Sequence, residues 1–404
     1  MSPKRRKERE HLSPPAAKAA RAARRIGART TAEPATTARP LPGGSAATVG
    51  LQRSLGNAGF GRLMRATVGK TPGTGIVARR APDPDDAPTL LTAREIAEAK
   101  AYYRNQPGLY TTTIIAEIQS RVGVEATGKV NDATVLAVAR LQLETAPLKV
   151  DGKAGPRTLP AAFPVGLAVE AEQNTFAEAA TSGFAEWTKL GGAQARGEAM
   201  TKLVNERLIA AGVPPFAVKV KDLGSDAGSF DSRIWTMNLD TADFSKDTLS
   251  KDEQAAIADT LYHEARHCEH FFMMAQMLAG RGRSAAQIAD DLQIPTPIAK
   301  AAKDKPLARG SMPAVEAAGW FEALFGTGNA HRAAVYARLE WATKLVKAAI
   351  AAVKACSTPA TLAKLEAARK LQTKAYDAVL DLPDEHNADF VAGGMRKIFE
   401  ANQP

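Results

Sequence analysis

A mainly helical chain with one small patch of strand is what the sequence predicts, and three observations predict it. Aromatic residues make up only 6% of the 404 positions while Ala is abundant, a balance that favours helices over a β-sandwich or barrel. Thr260 to Leu278 holds no Pro or Gly and carries Tyr262, Phe271, Met274 and Met277 on a long apolar run, as a buried helix does. Only Phe216 to Asp222 and Gly228 to Leu239 alternate apolar and polar positions among β-forming residues, so two strands are expected there.

Taken in order, residues 1–86 hold 17 Lys and Arg against 6 Asp and Glu, a net of +11. They are rich in Ala, Arg, Pro, Thr and Gly and too poor in apolar surface to offset chain entropy, so disorder is expected. One island, Leu51, Leu55, Phe60, Leu63 and Met64 around Gly56-Asn57, reads as a segment that orders against a partner. Asp83 to Pro88 is a linker, and Thr92 an N-cap with Glu95 at the capping-box position. Residues 90–165 then form a compact helical unit. Inside it a weak repeat pairs Thr127 to Leu136 with Val150 to Leu159, each a Gly-containing turn before a helix start, with Gln119 and Gln142 ending the preceding helices.

Residues 166–404 form the third region. Helices are expected over Leu167 to Leu190 and Gln194 to Ala211, then the two strands, then the Thr260 to Leu278 helix. Ala285 to Leu292, Pro313 to Leu324, Ala330 to Ala352, Ala360 to Leu380 and Asp384 to Ala401 follow as helices.

The chemistry concentrates in His263-Glu264-Ala265-Arg266-His267. On a helix His263 and His267 leave one face a turn apart and can share a divalent ion, while Glu264 beside them can take a proton from water. A third ligand is required. His270 lies about 10 Å along the axis from His263 at roughly 1.5 Å per residue, too far for one ion. Downstream, Pro383 suits a first helical turn, after which Glu385 and Asp389 stand at i and i+4 on one side. Glu316, Glu322 and Glu340 are rival ligands that read better as solvated helix positions. His270 and His386 read as partly exposed helix residues. Tyr262, His386 and Arg396 are the candidates for holding an oxyanion.

The H-E-x-x-H and the E-x-x-x-D of Glu385 and Asp389 together resemble the gluzincin metallopeptidases. The resemblance implies a zincin-like domain over 166–404 in which Zn²⁺ is held by His263, His267 and Glu385. Glu264 would be the base, Asp389 would orient a ligating imidazole, and the substrate would be a protein or peptide whose backbone adds to an edge strand. The metzincin pattern is excluded, because His270 and Met273 stand where its Gly and third His belong. The repeat over 90–165 resembles the three-helix peptidoglycan-binding-like domain, which implies contact with cell wall, although the same glycines and Asp151 serve as turn residues. The stretch LQRSLGNAGFGRLM resembles a leader segment of proteins associated with extracellular contractile injection systems. That implies an effector or toxin cargo, loaded through the leader onto the tube or baseplate of a phage-tail-like particle.

Charge and cysteine usage narrow the alternatives. Beyond the leader the chain carries 36 Lys and Arg against 37 Asp and Glu, which gives no support to a folded domain for specific nucleic acid. The two cysteines, Cys268 and Cys356, make no disulfide framework and no C-x-x-C site; folding in a reducing compartment is expected. No stretch is long and apolar enough for a bilayer, and Met1 to Arg25 lacks a signal-peptide h-region. Synthesis in a bacterial cytoplasm, with export by an injection particle, is the expectation. Three functions stay open: a zinc peptidase, a peptidoglycan endopeptidase, and a zincin-like structural or adaptor component without turnover.

Overall fold

The computed structural model describes residues 90–145, 148–224 and 226–403; the basic leader, with its expected disorder and loading segment, lies outside the described residues. Those residues build fourteen α-helices and one three-stranded sheet. Helices α1 (Ala93–Arg104), α2 (Thr112–Arg121), α3 (Asp132–Glu144) and the single turn α4 (Leu159–Ala162) come first. Thr92 caps α1 as a capping box, its N–H donating to the Glu95 carboxylate at 2.7 Å. Ile114, Ile118, Val135 and Val138 are fully buried between these helices.

The repeat is stitched by its two glutamines. Gln119 accepts from the Gly128 N–H at 2.8 Å and donates to Thr134 Oγ1 at 2.8 Å and the Lys129 carbonyl at 2.9 Å. Gln142 repeats the pattern on Gly152, Thr158 and Lys153 at 2.8, 3.0 and 3.1 Å. Both amides are buried, so each satisfies the backbone of a tight turn that water cannot reach.

The rest of the chain is arranged about one helix. A 3₁₀ turn (Gly166–Ala168), α5 (Glu170–Ala185), a second 3₁₀ turn (Trp187–Lys189) and α6 (Gly192–Ala210) precede the strands. The single helix expected over Leu167 to Leu190 is therefore shorter. Trp187 leaves it to stack on Phe184 and Phe244 and to donate its indole N–H to the Lys246 carbonyl at 2.8 Å. The sheet has three strands where two were expected: β1 (Ala217–Lys221), β2 (Gly228–Asp231) and β3 (Thr236–Asp240). A turn at Ser232 to Trp235 divides the second run, with Trp235 at φ 51° and its indole N–H donating to the Pro214 carbonyl. Strand order is β1-β3-β2, with β1 parallel to β3 (Ala217 opposite Thr236) and β2 antiparallel to it (Phe230 opposite Met237), which leaves β2 on an edge.

After α7 (Thr241–Phe244) comes α8 (Lys251–Gly280), started by a Ser250/Glu253 capping box. Its 30 residues span about 45 Å at 1.5 Å each. From Ala255 to Leu278 nearly every position is buried, so its charged side chains must all find partners inside the protein. Helices α9 (Ala285–Leu292), α10 (Thr296–Asp304) and α11 (Met312–Leu324) wrap around it. The short α10, with Pro295 at its N-cap and Pro297 in its first turn, was not foreseen. Met312 and Val315 of α11 also complete the core of the first helical unit. Helices α12 (Asn329–Ala355) and α13 (Pro359–Leu380) form a hairpin, packed on each other from Val335, Tyr336 and Leu339 against Ala375, Tyr376 and Val379 outward to Val346 and Ala368. It meets the rest of the fold at its base, where α12 touches α11 and α13 runs on to the last helix. The last helix, α14 (Pro383–Ala401), starts on Pro383 and runs antiparallel to α8, with Asn387 against His270 and Arg396 against Asp259.

Candidate metal centre

Helical geometry distributes the polar residues of α8 into three stripes. Tyr262, Arg266 and Glu269 face the Val165 to Leu167 segment. His263, His267 and His270 face α14 and α11. Thr260, Glu264 and Phe271 face strand β2.

The middle stripe meets Glu385. Its Oε2 lies 3.3 Å from His267 Nε2 and 3.7 Å from His263 Nε2, and the two imidazole nitrogens lie 3.1 Å apart. Ligand atoms held at about 2.0–2.1 Å around a tetrahedral ion sit about 3.3 Å from one another, so the three edges bracket that value. Among the described residues this is the group of His, Cys, Asp and Glu able to hold a metal. The donor set, two imidazoles and one carboxylate, fits a divalent ion with an open fourth position.

The other carboxylate oxygen of Glu385 is already engaged. Arg332 Nη2 donates to Oε1 at 3.0 Å and the Tyr336 hydroxyl at 2.9 Å, while Arg332 Nη1 holds the neighbouring Asp384 at 2.6 Å. With Oε1 occupied, Oε2 is the atom offered to an ion. All four residues are buried. Burial opposes the charge of Glu385, but His267, His263 and Arg332 outweigh it and keep its carboxyl well below the usual range. Burial likewise opposes the His263 imidazolium; Glu385, Glu264 and Asp389 overcome it and push that group up to about 9.

Glu264 lies on the stripe facing the sheet, where its Oε2 accepts the Phe230 N–H of β2 at 2.9 Å. Gly228 makes that approach possible: a Cβ there would stand 2.7 Å from Thr260 Cγ2 and 3.4 Å from Glu264 Cγ. The remaining stripe is locked in place. Arg266 donates to Glu269 at 2.6 Å and to the Val165 carbonyl, and Glu269 accepts the Leu167 N–H at 3.2 Å. Gly166, at φ 54°, lies so close that a side chain would overlap the Glu269 carboxylate.

Several expected roles need correction. Tyr262 donates its hydroxyl to the Leu167 carbonyl at 2.9 Å, on the stripe turned from the two imidazoles. Arg396 pairs with Glu400 and Asp259. His386 is buried rather than partly exposed, and with Asp389 it lines a cavity of 810 Å³ bounded by Pro160, Gln173 and Lys397. Asp389 is exposed and acts on His263 through its charge; no hydrogen bond joins it to either imidazole. His270 is buried too, its Nε2 2.7 Å from Asn387 Oδ1 and its ring stacked on Trp320 at 4.1 Å. Because Arg266 Nε also donates to that oxygen at 2.8 Å, Oδ1 is an acceptor and His270 carries its proton on Nε2. Glu316, read as solvated, is fully buried, and among the described residues neither of its oxygens has a hydrogen-bond partner. Burial pushes its carboxyl up to about 8 against the pull of Arg266. Glu322 is exposed and Glu340 pairs with Lys344, so neither approaches the centre.

Arg332, Tyr336, Asp384 and Asn387 were missed. Their only trace in the sequence is an Arg and a Tyr one helical turn apart, a signal shared by many exposed helices.

No protein-family model, curated protein or solved structure matches this chain. The chemistry of the site therefore has to be read from its own atoms. It can hold a divalent cation by two nitrogens and one oxygen, with the Glu264 carboxylate near enough for its charge to act on His263.

Proposed function

We propose that the chain is a zinc-dependent peptidase. The observation that carries this reading is the convergence of His263 Nε2, His267 Nε2 and Glu385 Oε2 at tetrahedral edge lengths, with Glu264 one position along the helix. Zinc bound there supplies a Lewis acid for the scissile carbonyl and lowers the pKa of water. Glu264 takes the proton from the attacking water and returns it to the leaving amine. Phe230 holds that carboxylate against edge strand β2, along which an extended substrate backbone aligns by main-chain hydrogen bonds. Arg332 and Tyr336 keep Glu385 to one ligating oxygen.

This reading places a zincin-like domain over 166–404 behind a peptidoglycan-binding-like unit over 90–165. With the leader's resemblance to contractile-injection cargo, it makes the substrate a target-cell protein or a peptidoglycan cross-link. Two observations favour a second reading, a zincin-like structural or adaptor component without turnover. His263, Glu264 and His267 are only 5%, 3% and 6% exposed, and Tyr262 and Arg396, two of the expected oxyanion donors, are engaged elsewhere.

Metal analysis followed by a Glu264→Gln comparison separates the two. The peptidase reading expects one zinc per chain in both proteins and cleavage of casein or purified peptidoglycan lowered roughly 10²–10⁴-fold in the variant. Bound zinc with no Glu264-dependent cleavage of either substrate would favour the adaptor.

A further inference from the structure

We propose that the α12–α13 hairpin is a docking surface for an acidic amphipathic helix of a partner protein. The hairpin carries nine Lys and Arg against three Asp and Glu, a net of +6, whereas the rest of the described chain carries 27 against 34. The positive charge of the described residues is thus gathered on an element that meets the rest of the fold at its base. Of the six exposed large hydrophobic residues among the described ones, three are on it as well: Trp341 at 53%, Leu362 at 50% and Leu371 at 44%.

The sequence of each helix places these features by face. On α12, Arg338, Trp341, Leu345, Ala349 and Ala352 follow one another at three- and four-residue spacing along one flank. On α13, Lys364, Ala367, Leu371, Lys374 and Ala378 do the same. Because the helices are antiparallel, with Gln372 bonded to Thr343 across the seam, those two flanks lie on the same side of the hairpin. That side has large apolar residues, alanines that permit close approach of a third helix, and Arg338, Lys364 and Lys374, with no acid among them. None of these three cations forms an ion pair among the described residues. The opposite side differs, since Lys344 and Lys370 are neutralised there by Glu340 and Glu366.

An occupant complementary to this side has an apolar stripe at helical spacing and carboxylates flanking it, the pattern of a third helix joining two. A nucleic acid fits less well. Beside Trp341 the large apolar residues of this side are the aliphatic Leu345 and Leu371, which offer no stacking face, and the other described residues, at net −7, disfavour a long polyanion laid across them.

The protein contains its own reporter. Of four tryptophans, Trp187, Trp235 and Trp320 are buried and Trp341 is exposed, and the basic leader has none. Peptide attracted to the leader is therefore silent in tryptophan emission. The full chain is titrated with a synthetic three-heptad peptide carrying Leu at the apolar positions and Glu elsewhere, with its Lys counterpart, and with oligo-dT. Expected is a blue shift of Trp341 and protection from acrylamide with the Glu peptide alone. The shift should be lost in Trp341→Phe, and binding should weaken about tenfold or more in Lys364→Glu/Leu371→Glu, whose helicity is checked by circular dichroism. No Trp341 response to the Glu peptide, an equal response to the Lys peptide or to oligo-dT, or unchanged affinity in the folded double variant would overturn the proposal.

Discussion

Replacing Glu316 by Gln should stabilise the protein at neutral pH and leave its stability in acid nearly unchanged. The side chain is fully buried on α11, beside Arg266 but without a hydrogen bond to any described residue. Its carboxyl is pushed up to about 8, from 4.5. The sign follows from linkage: the folded state holds the proton more tightly than the unfolded one. The cost is therefore absent below 4.5, grows as pH rises, and levels off above 8. Each tenfold step in the proton equilibrium is worth about 1.4 kcal/mol, so at pH 7 the cost reaches about 3 kcal/mol. Gln keeps the volume and cannot ionise, so it removes this cost while retaining a neutral polar group. Thermal unfolding of both proteins from pH 4.5 to 8 is the assay, and about 3 kcal/mol corresponds to roughly 6–12 °C in a domain of this size class. A stability difference that does not change with pH, or a variant less stable at pH 8, would show that Glu316 is ionised and satisfied, and the reasoning would fail.

Other outcomes follow from the same contacts. Tyr336→Phe removes one of the two donors to Glu385 Oε1 and should weaken zinc about 10–100-fold in a competition titration, while melting stays within about 2 kcal/mol of the parent. Arg332→Met leaves Asp384 and Glu385 buried together without their cation and should cost about 3–5 kcal/mol in denaturant unfolding. Asn387→Ala strips the shared acceptor from Arg266 and His270, and a loss of about 2–4 kcal/mol is expected. With His263 pushed up to about 9, metal uptake at pH 7 should release protons. Calorimetric enthalpies would then vary with the ionisation heat of the buffer, and buffer-independent heats would count against it.

The helices were legible because their causes are local. Caps such as Thr92, the absence of Gly and Pro along α8, and Pro383 at the start of α14 all act within a turn. The break at Trp187 and the turn before Trp235 were not, since each depends on an indole finding a carbonyl 59 or 21 residues away. Glu385 could be picked out by its spacing to Asp389, and the fold brings it to His263 and His267. The network behind it is a matter of long-range packing. Arg332 reaches Glu385 across 53 residues and Asn387 reaches Arg266 across 121. Glu316 was misread for the same reason, because a carboxylate on an amphipathic helix is usually solvated and only the tertiary structure buries it.

One cation held by two α8 imidazoles and one α14 carboxylate is the centre on which the proposed chemistry depends. X-ray absorption at the zinc edge, on full-length protein loaded with one equivalent, reads that directly. The predicted first shell is two imidazole nitrogens and light oxygens at about 2.0–2.2 Å, reduced to one imidazole in His267→Ala. Failure to retain the zinc, or a shell unchanged by that substitution, would contradict the account.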